Sequence, residues 1–180
     1  GSLAFYGNST SGASIDVIAY CDCPANSVSA VYINDDVVTI SGGAIVHPDA
    51  ESYVGGVALA GYNLGATPNT AHSAVVSALP GVWTSDHRGD GVVSGYLIKN
   101  PVKEKKFLST YPQGDNVQMS LVISMQPCFD FRNVAHDIDD PSTWDETHNP
   151  VLHFLHYLVF YRGYSYDTAI LPKISLWETA

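Results

Sequence analysis

The sequence predicts a mainly β (α+β) fold: an antiparallel β-sandwich or barrel-like core with a short internal helix and one or two C-terminal helices. Two observations lead to this prediction. Short runs rich in Val, Ile, Tyr and Thr recur over the first two thirds of the chain, separated by turns of Gly, Asn, Asp and Pro. The clearest helix signal stands near the C-terminus, where Asn149-Pro150 precedes an apolar stripe.

Strand signals recur along the chain, at residues 14–20, 31–33, 37–40, 53–64, 92–98 and 117–123. The second and third of these segments flank Asn34-Asp35-Asp36 and predict a hairpin, because turn residues stand where the chain must reverse. The fourth contains Gly55, Gly56 and Gly61 and predicts an irregular strand or bulge. Residues 101–114, which hold the basic cluster Lys103-Glu104-Lys105-Lys106, are predicted to form a loop.

Helices are predicted at the centre and at the end of the chain. Residues 70–79 carry apolar side chains at spacings of three and four, which predicts a short helix, and Pro80-Gly81 ends it. Asn149 is suited to cap a second helix and Pro150 to occupy its first position, while Gly163 is suited to close it. A further short helix is predicted to begin near Asp167 and to stop or restart at Pro172.

Three regions follow from these signals. Residues 1–13 are Gly-, Ser- and Asn-rich and predict a flexible lead-in or tag remnant, since the chain starts Gly1-Ser2 without Met. Residues 14–135 predict a β-rich domain with hairpins. Residues 136–180 predict an acidic loop plus a helical segment that continues in a longer parent chain.

The charge balance excludes several classes of partner. The chain has 8 Lys and Arg against 18 Asp and Glu, a formal net charge of −10, and only 14% of its residues are charged. A nucleic-acid binder needs clustered basic residues, as does a polybasic membrane-surface module, so neither is expected. Stable membrane insertion is not expected either, because the sequence has no run of about 18 apolar residues. The low charged fraction favours a module that packs against other chains.

Cysteine usage favours free thiols. Cys21, Cys23 and Cys128 are odd in number, and a disulfide between Cys21 and Cys23 would close a very small ring. We therefore predict free cysteines in a protein assembled in a reducing cytosol.

Two clusters are candidates for metal binding. His153 and His156 share a helix face near His148, yet no His-Glu-x-x-His pattern accompanies them, so ordinary titrating histidines are favoured over a hydrolase centre. Asp137, Asp139 and Asp140 are spaced loosely like a calcium loop but lack its glycine and bidentate glutamate, which favours a solvated acidic loop. Both metal sites stay open as alternatives.

Catalytic and adhesion motifs are weak. Arg88-Gly89-Asp90 spells an adhesion tripeptide, but it lies in a Gly-rich turn and such tripeptides recur by chance. Neither a Gly-x-Ser-x-Gly elbow nor a phosphate-binding glycine loop is present, and the sequence alone cannot place Cys128 beside a histidine. We predict no enzyme, no catalytic residue and no cofactor.

Several motifs stand in an order that resembles the phage tail-tip hub family, the tail proteins similar to the lambda host-specificity protein J. The motifs are Val31-Tyr32-Ile33-Asn34-Asp35, Gly81-Val82-Trp83, Gly89-Asp90-Gly91, Tyr111-Pro112, Cys128-Phe129-Asp130-Phe131-Arg132, Asp140-Pro141-Ser142-Thr143-Trp144-Asp145 and His148-Asn149-Pro150-Val151-Leu152, followed by Tyr157-Leu158 and Gly163. The resemblance covers residues 14–180 and is most specific over 128–163.

The resemblance implies a structural component of a phage or phage-like tail tip, a hub or baseplate protein that joins the tail tube to host-recognition parts and forms part of the DNA exit path. It further implies a homotrimer among other tail proteins, assembled in the bacterial cytoplasm and located in the virion tail. The alternative is a carbohydrate- or receptor-binding β module of a virion or secreted protein, suggested by 11 Tyr and 3 Trp. In that case Trp83 and Trp144 would bind the glycan.

Overall fold

The computed structural model describes residues 1–49, 51–54, 58–114, 116–124 and 127–178, with the backbone alone for 177 and 178. The chain divides into two compact units, Gly1–Ser124 and Met125–Ala180. The division falls earlier than the predicted one after residue 135. An isolated bridge between Cys128 and Asp145 explains the difference, because it ties the segment after the last strand to the acidic loop.

The first unit is a single open sheet of eight antiparallel strands, which confirms the mainly β prediction. The strands are β1 (Ser2–Asn8), β2 (Ser14–Cys21), β3 (Ser27–Ile33), β4 (Asp36–Ser41), β5 (Ala44–Val46), β6 (Ala58–Leu64), β7 (Val93–Lys99) and β8 (Met119–Ser124). Their order across the sheet is β1-β2-β7-β6-β5-β4-β3-β8, so β1 and β8 are its edges. The predicted hairpin is β3 and β4, with Asn34 at φ 55° in its turn.

The first strand replaces the flexible lead-in predicted for residues 1–13. β1 pairs with β2 along its length, from Ser2 opposite Ala19 to Asn8 opposite Ser14. The ring of Phe5 packs 5.2 Å from that of Trp83. Gly, Ser and Asn lower the intrinsic strand preference of this segment, and its order comes from pairing and packing that local composition does not reveal.

Strand β7 lies inside the sheet and is buried at all seven positions, which gives the unit two cores, one on each face. Leu97 belongs to the first core, with Val31, Ile33, Val38, Ile45, Tyr53, Ala58, Ala60, Tyr111, Val117 and Met119. Tyr96 and Ile98 belong to the second core, with Ala13, Ile15, Val17, Val75 and Leu79.

A glycine in β6 lets an aromatic ring lie flat on the neighbouring strand. Gly61 stands opposite Tyr96 in β7, and a Cβ added at Gly61 would lie 2.6 Å from the Tyr96 ring. Only glycine fits this approach. The irregular strand predicted over 53–64 is regular from Ala58 onward, while Gly55 and Gly56 lie outside the described residues.

Two short helices accompany the sheet. The first, α1 (Ser73–Ala78), confirms the internal helix and packs Val75 into the second core. The second, α2 (Glu104–Thr110), lies where a loop was predicted, so that prediction was wrong. Phe107 of α2 packs against the first core, and this anchor makes a helix of a segment whose charged residues suggested a solvated loop.

The second unit contains the predicted capped helix, α3 (Pro150–His156). The Asn149 carboxamide oxygen accepts a hydrogen bond from the Val151 amide at 2.9 Å, and Pro150 occupies the first position. The helix continues as a π-helical turn, Tyr157–Tyr161, before Gly163 at φ 71°.

A second π-helical turn, Tyr166–Ile170, lies where a short helix was predicted to begin near Asp167, and Ser165 is its cap. A 3-10 turn over Leu171–Lys173 holds Pro172, and α4 (Ile174–Glu178) follows it. The sequence predicted that the helix would stop or restart at Pro172, and the structure shows that it restarts.

Candidate functional site

The second unit brings Cys128 beside a histidine, a contact that the sequence could not establish. Cys128 Sγ lies 3.3 Å from His153 Nδ1, and His153 Nε2 lies 2.8 Å from the Thr147 carbonyl oxygen. Because a carbonyl only accepts, Nε2 carries the proton of the neutral ring and Nδ1 accepts from the thiol. A thiol, a base and a group that orients the base thus stand in line, as in nucleophilic enzymes.

Burial makes this arrangement structural rather than reactive. Only 2% of the surface of Cys128 is exposed, and burial raises the pKa of its thiol. A reactive cysteine needs the opposite, an accessible thiol whose pKa is lowered by a cation or a helix N-terminus. The Cys128–His153 hydrogen bond therefore joins the segment before the acidic loop to α3.

The three histidines of the candidate metal cluster have separate surroundings. His148 is exposed, His153 faces Cys128, and the ring of His156 lies 5.6 Å from that of Trp144 and 4.7 Å from that of Phe160. Burial lowers the pKa of His156, and nearby His153 lowers it further. Within the described residues, no group of three or more His, Cys, Asp or Glu side chains is arranged to hold a metal ion.

The acidic loop binds its own backbone. Asp137 Oδ1 accepts from the Asp139 amide at 2.9 Å, and Asp140 Oδ1 accepts from the Ser142 amide at 3.0 Å and from its hydroxyl at 2.7 Å. These bonds to Ser142 lower the pKa of Asp140. The carboxylates therefore shape the loop, and Trp144 closes it by donating its indole N–H to the Asp137 carbonyl at 2.6 Å.

Neither tryptophan proposed for glycan contact lies open on the surface. Trp144 is 7% exposed, and its ring packs against that of His156. Trp83 is half-buried, with its ring stacked 4.7 Å from that of His87 and packed on Phe5.

The Arg88-Gly89-Asp90 turn is closed on itself. Arg88 Nη2 lies 3.1 Å from Asp90 Oδ2, while Asp90 Oδ1 accepts from the Asn69 amide at 2.7 Å. Both charged groups of the tripeptide are engaged locally, which agrees with the turn interpretation.

All three cysteines are free thiols, yet Cys21 and Cys23 are in contact. Their sulfur atoms lie 3.1 Å apart, and the Cys21 thiol approaches the Cys23 carbonyl oxygen at 3.0 Å. Burial, followed by the neighbouring Cys21, raises the pKa of Cys23 to about 12. A high thiol pKa disfavours the nucleophilic thiolate.

An exposed aromatic stripe on the second unit is the feature that sequence reasoning missed. Phe154, Tyr157 and Tyr161, spaced i, i+3 and i+7, are 50%, 47% and 56% exposed. The rings of Tyr157 and Tyr161 stack 6.2 Å apart. The signal was present in the sequence, because these aromatics lie on a different helix face from the buried Leu152 and Leu155.

Comparisons with family models, with curated proteins and with solved structures yield no match in any of the three. Within the described residues, no helix combines the length and the apolar character needed to cross a membrane.

Proposed function

We propose that this chain is a structural, non-catalytic component of a phage or phage-like tail tip, a hub or baseplate protein that joins the tail tube to the host-recognition parts. The ordered motifs of the sequence support this proposal. Two of them have a structural role here: Asn149 caps α3, and Arg132 contacts Asp130 through Nε at 2.9 Å and Nη2 at 2.7 Å. The ion pair with Arg132 lowers the pKa of Asp130.

The exposed aromatic stripe carries the proposal. Soluble monomers rarely expose contiguous large apolar side chains, whereas aromatic residues are enriched at the centres of protein interfaces. Phe154, Tyr157 and Tyr161 stand on a helix whose other face already fills the core of its unit. A partner chain that covered the stripe would bury rings that otherwise remain in water.

The Cys128–His153 pair, which resembles a catalytic pair, supports a non-catalytic role because its thiol is buried. Cys128 and His153 are hydrogen-bonded to each other beneath the surface, so the one thiol–imidazole pair found within the described residues serves the fold. The net charge of −10 suits a protein beside a DNA path, because carboxylates repel phosphates and let DNA slide.

The proposed partners are other tail proteins, with a homotrimer of this chain in the full particle. Its proposed place is the virion tail, after assembly in the bacterial cytoplasm. The exposed acidic loop, with Asp139 and Asp140, is a candidate for the surface that faces the DNA.

The proposal is tested on the particle. An epitope inserted in the exposed loop at Gln113 should be labelled by antibody at the tail tip in electron micrographs. The double variant Tyr157→Ser/Tyr161→Ser should be folded but enter particles at least about tenfold less, the effect of losing ~1.4 kcal/mol of interface energy. Tyr62→Ser, an exposed tyrosine of β6, is the matched control and should enter normally.

Label elsewhere on the virion would overturn the tail-tip proposal. Normal incorporation of the double variant would overturn the role of the aromatic stripe.

A further inference from the structure

A cavity of about 510 Å³ lies between the two edges of the sheet. Leu3 and Tyr6 of the edge strand β1 line one side, and Gln118 and Met119, at the start of the edge strand β8, line the other. The sheet therefore curves until its edges approach, and the Tyr20 hydroxyl donates across the inside to the Met119 carbonyl at 3.0 Å. The volume falls in the range of about 300–1,000 Å³ typical of ligand sites.

A buried ion pair lies in the wall of this cavity. Lys99 Nζ in β7 is 3.1 Å from Asp16 Oδ2 in β2, and the two side chains are 5% and 12% exposed. Burying such a pair removes both charges from water, a desolvation cost that apolar residues of similar size would avoid. Packing alone therefore does not explain why this site holds a charged pair.

Ligand binding at Oδ1, the second carboxylate oxygen of Asp16, would explain it. Oδ2 of Asp16 is engaged by Lys99, while the described residues offer Oδ1 no hydrogen-bond partner. Asp16 lines the cavity, so a ligand hydroxyl can donate to Oδ1 without breaking the ion pair. An ionic ligand of either sign would instead compete with one member of the pair.

Five other lining residues have the chemistry that recognises a sugar. Asn116 and Gln118 place carboxamides, each both donor and acceptor, at the exposed rim. Ile18 and Met119 form an apolar wall, and Tyr6 presents an exposed ring beside them. A sugar ring matches this combination, because it has hydroxyls around its edge and an apolar C–H face.

We propose that this cavity binds a neutral sugar residue, whose hydroxyls contact Asp16, Asn116 and Gln118 and whose apolar face lies on Tyr6. Neither Trp83 nor Trp144 is among the residues that line this site. It does not depend on the tail-tip proposal, since it rests on residues of the first unit alone.

The test uses the full chain and six neutral sugars: glucose, galactose, mannose, rhamnose, N-acetylglucosamine and N-acetylgalactosamine. Saturation-transfer NMR with each sugar at ~10 mM should detect binding of at least one, with a Kd of about 1 mM, the strength of roughly 4 kcal/mol. Backbone amide shifts should map the bound sugar to Tyr6 and Gln118.

Two rim variants locate the site. Gln118→Ala and Tyr6→Ala should each weaken binding of that sugar at least about tenfold, the loss of ~1.4 kcal/mol. Gln113→Ala removes an exposed glutamine outside the cavity and should bind like the wild type. The proposal is overturned if none of the six sugars binds, or if binding is unchanged in both Gln118→Ala and Tyr6→Ala.

Discussion

The sheet unit (Gly1–Ser124) and the helical unit (Met125–Ala180) differ in which apolar side chains they bury and which they expose. The sheet unit fills two cores, one on each face of β7, and its largest buried side chains include Tyr53, Ile15 and Leu97. The helical unit buries fewer of the described apolar residues, namely Cys128, Trp144, Leu152, Leu155 and Ile170. Its exposed apolar side chains include the aromatic stripe, whereas those of the sheet unit are mostly aliphatic.

This difference separates side chains that stabilise the chain itself from those available to a partner. Apolar area buried inside a unit contributes to its own stability, at about 25 cal/mol per Å². Area left exposed contributes nothing until another surface covers it. The stripe of Phe154, Tyr157 and Tyr161 is the surface that we propose a partner chain covers.

The largest effect is expected from the core of the sheet. Leu97 is fully buried in the interior strand β7, so Leu97→Ala should lower the free energy of unfolding by about 2–5 kcal/mol through lost burial and the cavity left behind. Urea unfolding followed by circular dichroism measures this loss. Val122→Ala, on the exposed edge strand β8, is the control and should cost less than about 1 kcal/mol. Similar losses in the two variants would contradict the two-core description.

A pH dependence is expected from His72, a buried histidine between the sheet and α1. Burial lowers its pKa from 6.5 to about 4. The folded state thus resists a proton that the unfolded state accepts below pH 6.5, so stability is full above pH 6.5 and falls as the pH drops toward 4. This one group should account for a loss of about 2–3 kcal/mol.

The measurement is the free energy of unfolding between pH 7 and pH 4. His72→Gln should flatten the curve, whereas Ser94→Ala, which removes only the hydroxyl 3.0 Å from His72 Nε2, should keep the slope. A wild-type slope in His72→Gln would assign the pH dependence to other groups.

The smallest effect is expected at the start of α3. Asn149→Ala removes the cap on the Val151 amide and should destabilise the helical unit by about 0.5–2 kcal/mol. Hydrogen exchange over residues 150–156 should quicken accordingly. His148→Ala, at the exposed neighbouring position, should change stability by less than about 0.5 kcal/mol. Equal exchange in both variants would show that Asn149 does not cap this helix.

The sequence predicted those elements whose signals are local. Alternation marked β2, β3, β4, β7 and β8, and the Asn149-Pro150 pair marked the start of α3, because capping and turn chemistry act over a few residues. It missed β1 and α2, which are held by contacts made elsewhere in the chain: Phe5 on Trp83, and Phe107 on the first core.

The same distinction between local signals and long-range contacts applies to the candidate sites. The histidine spacing on α3 was visible, but the partners of each ring were not, since Cys128 reaches His153 from 25 residues away. The Asp16–Lys99 pair and the cavity beside it join strands that are distant in sequence and carry no motif.

By itself, then, the sequence determined the mainly β class, the hairpin of β3 and β4, the capped helix and the shortage of positive charge. These depend on residue type and on neighbours close along the chain. Only the tertiary structure decided which side of each element is buried, that the sheet ends in two edges flanking a cavity, and that the rings of the aromatic stripe are exposed. Burial and long-range pairing depend on which distant strands and helices meet, and no short stretch of sequence contains that information.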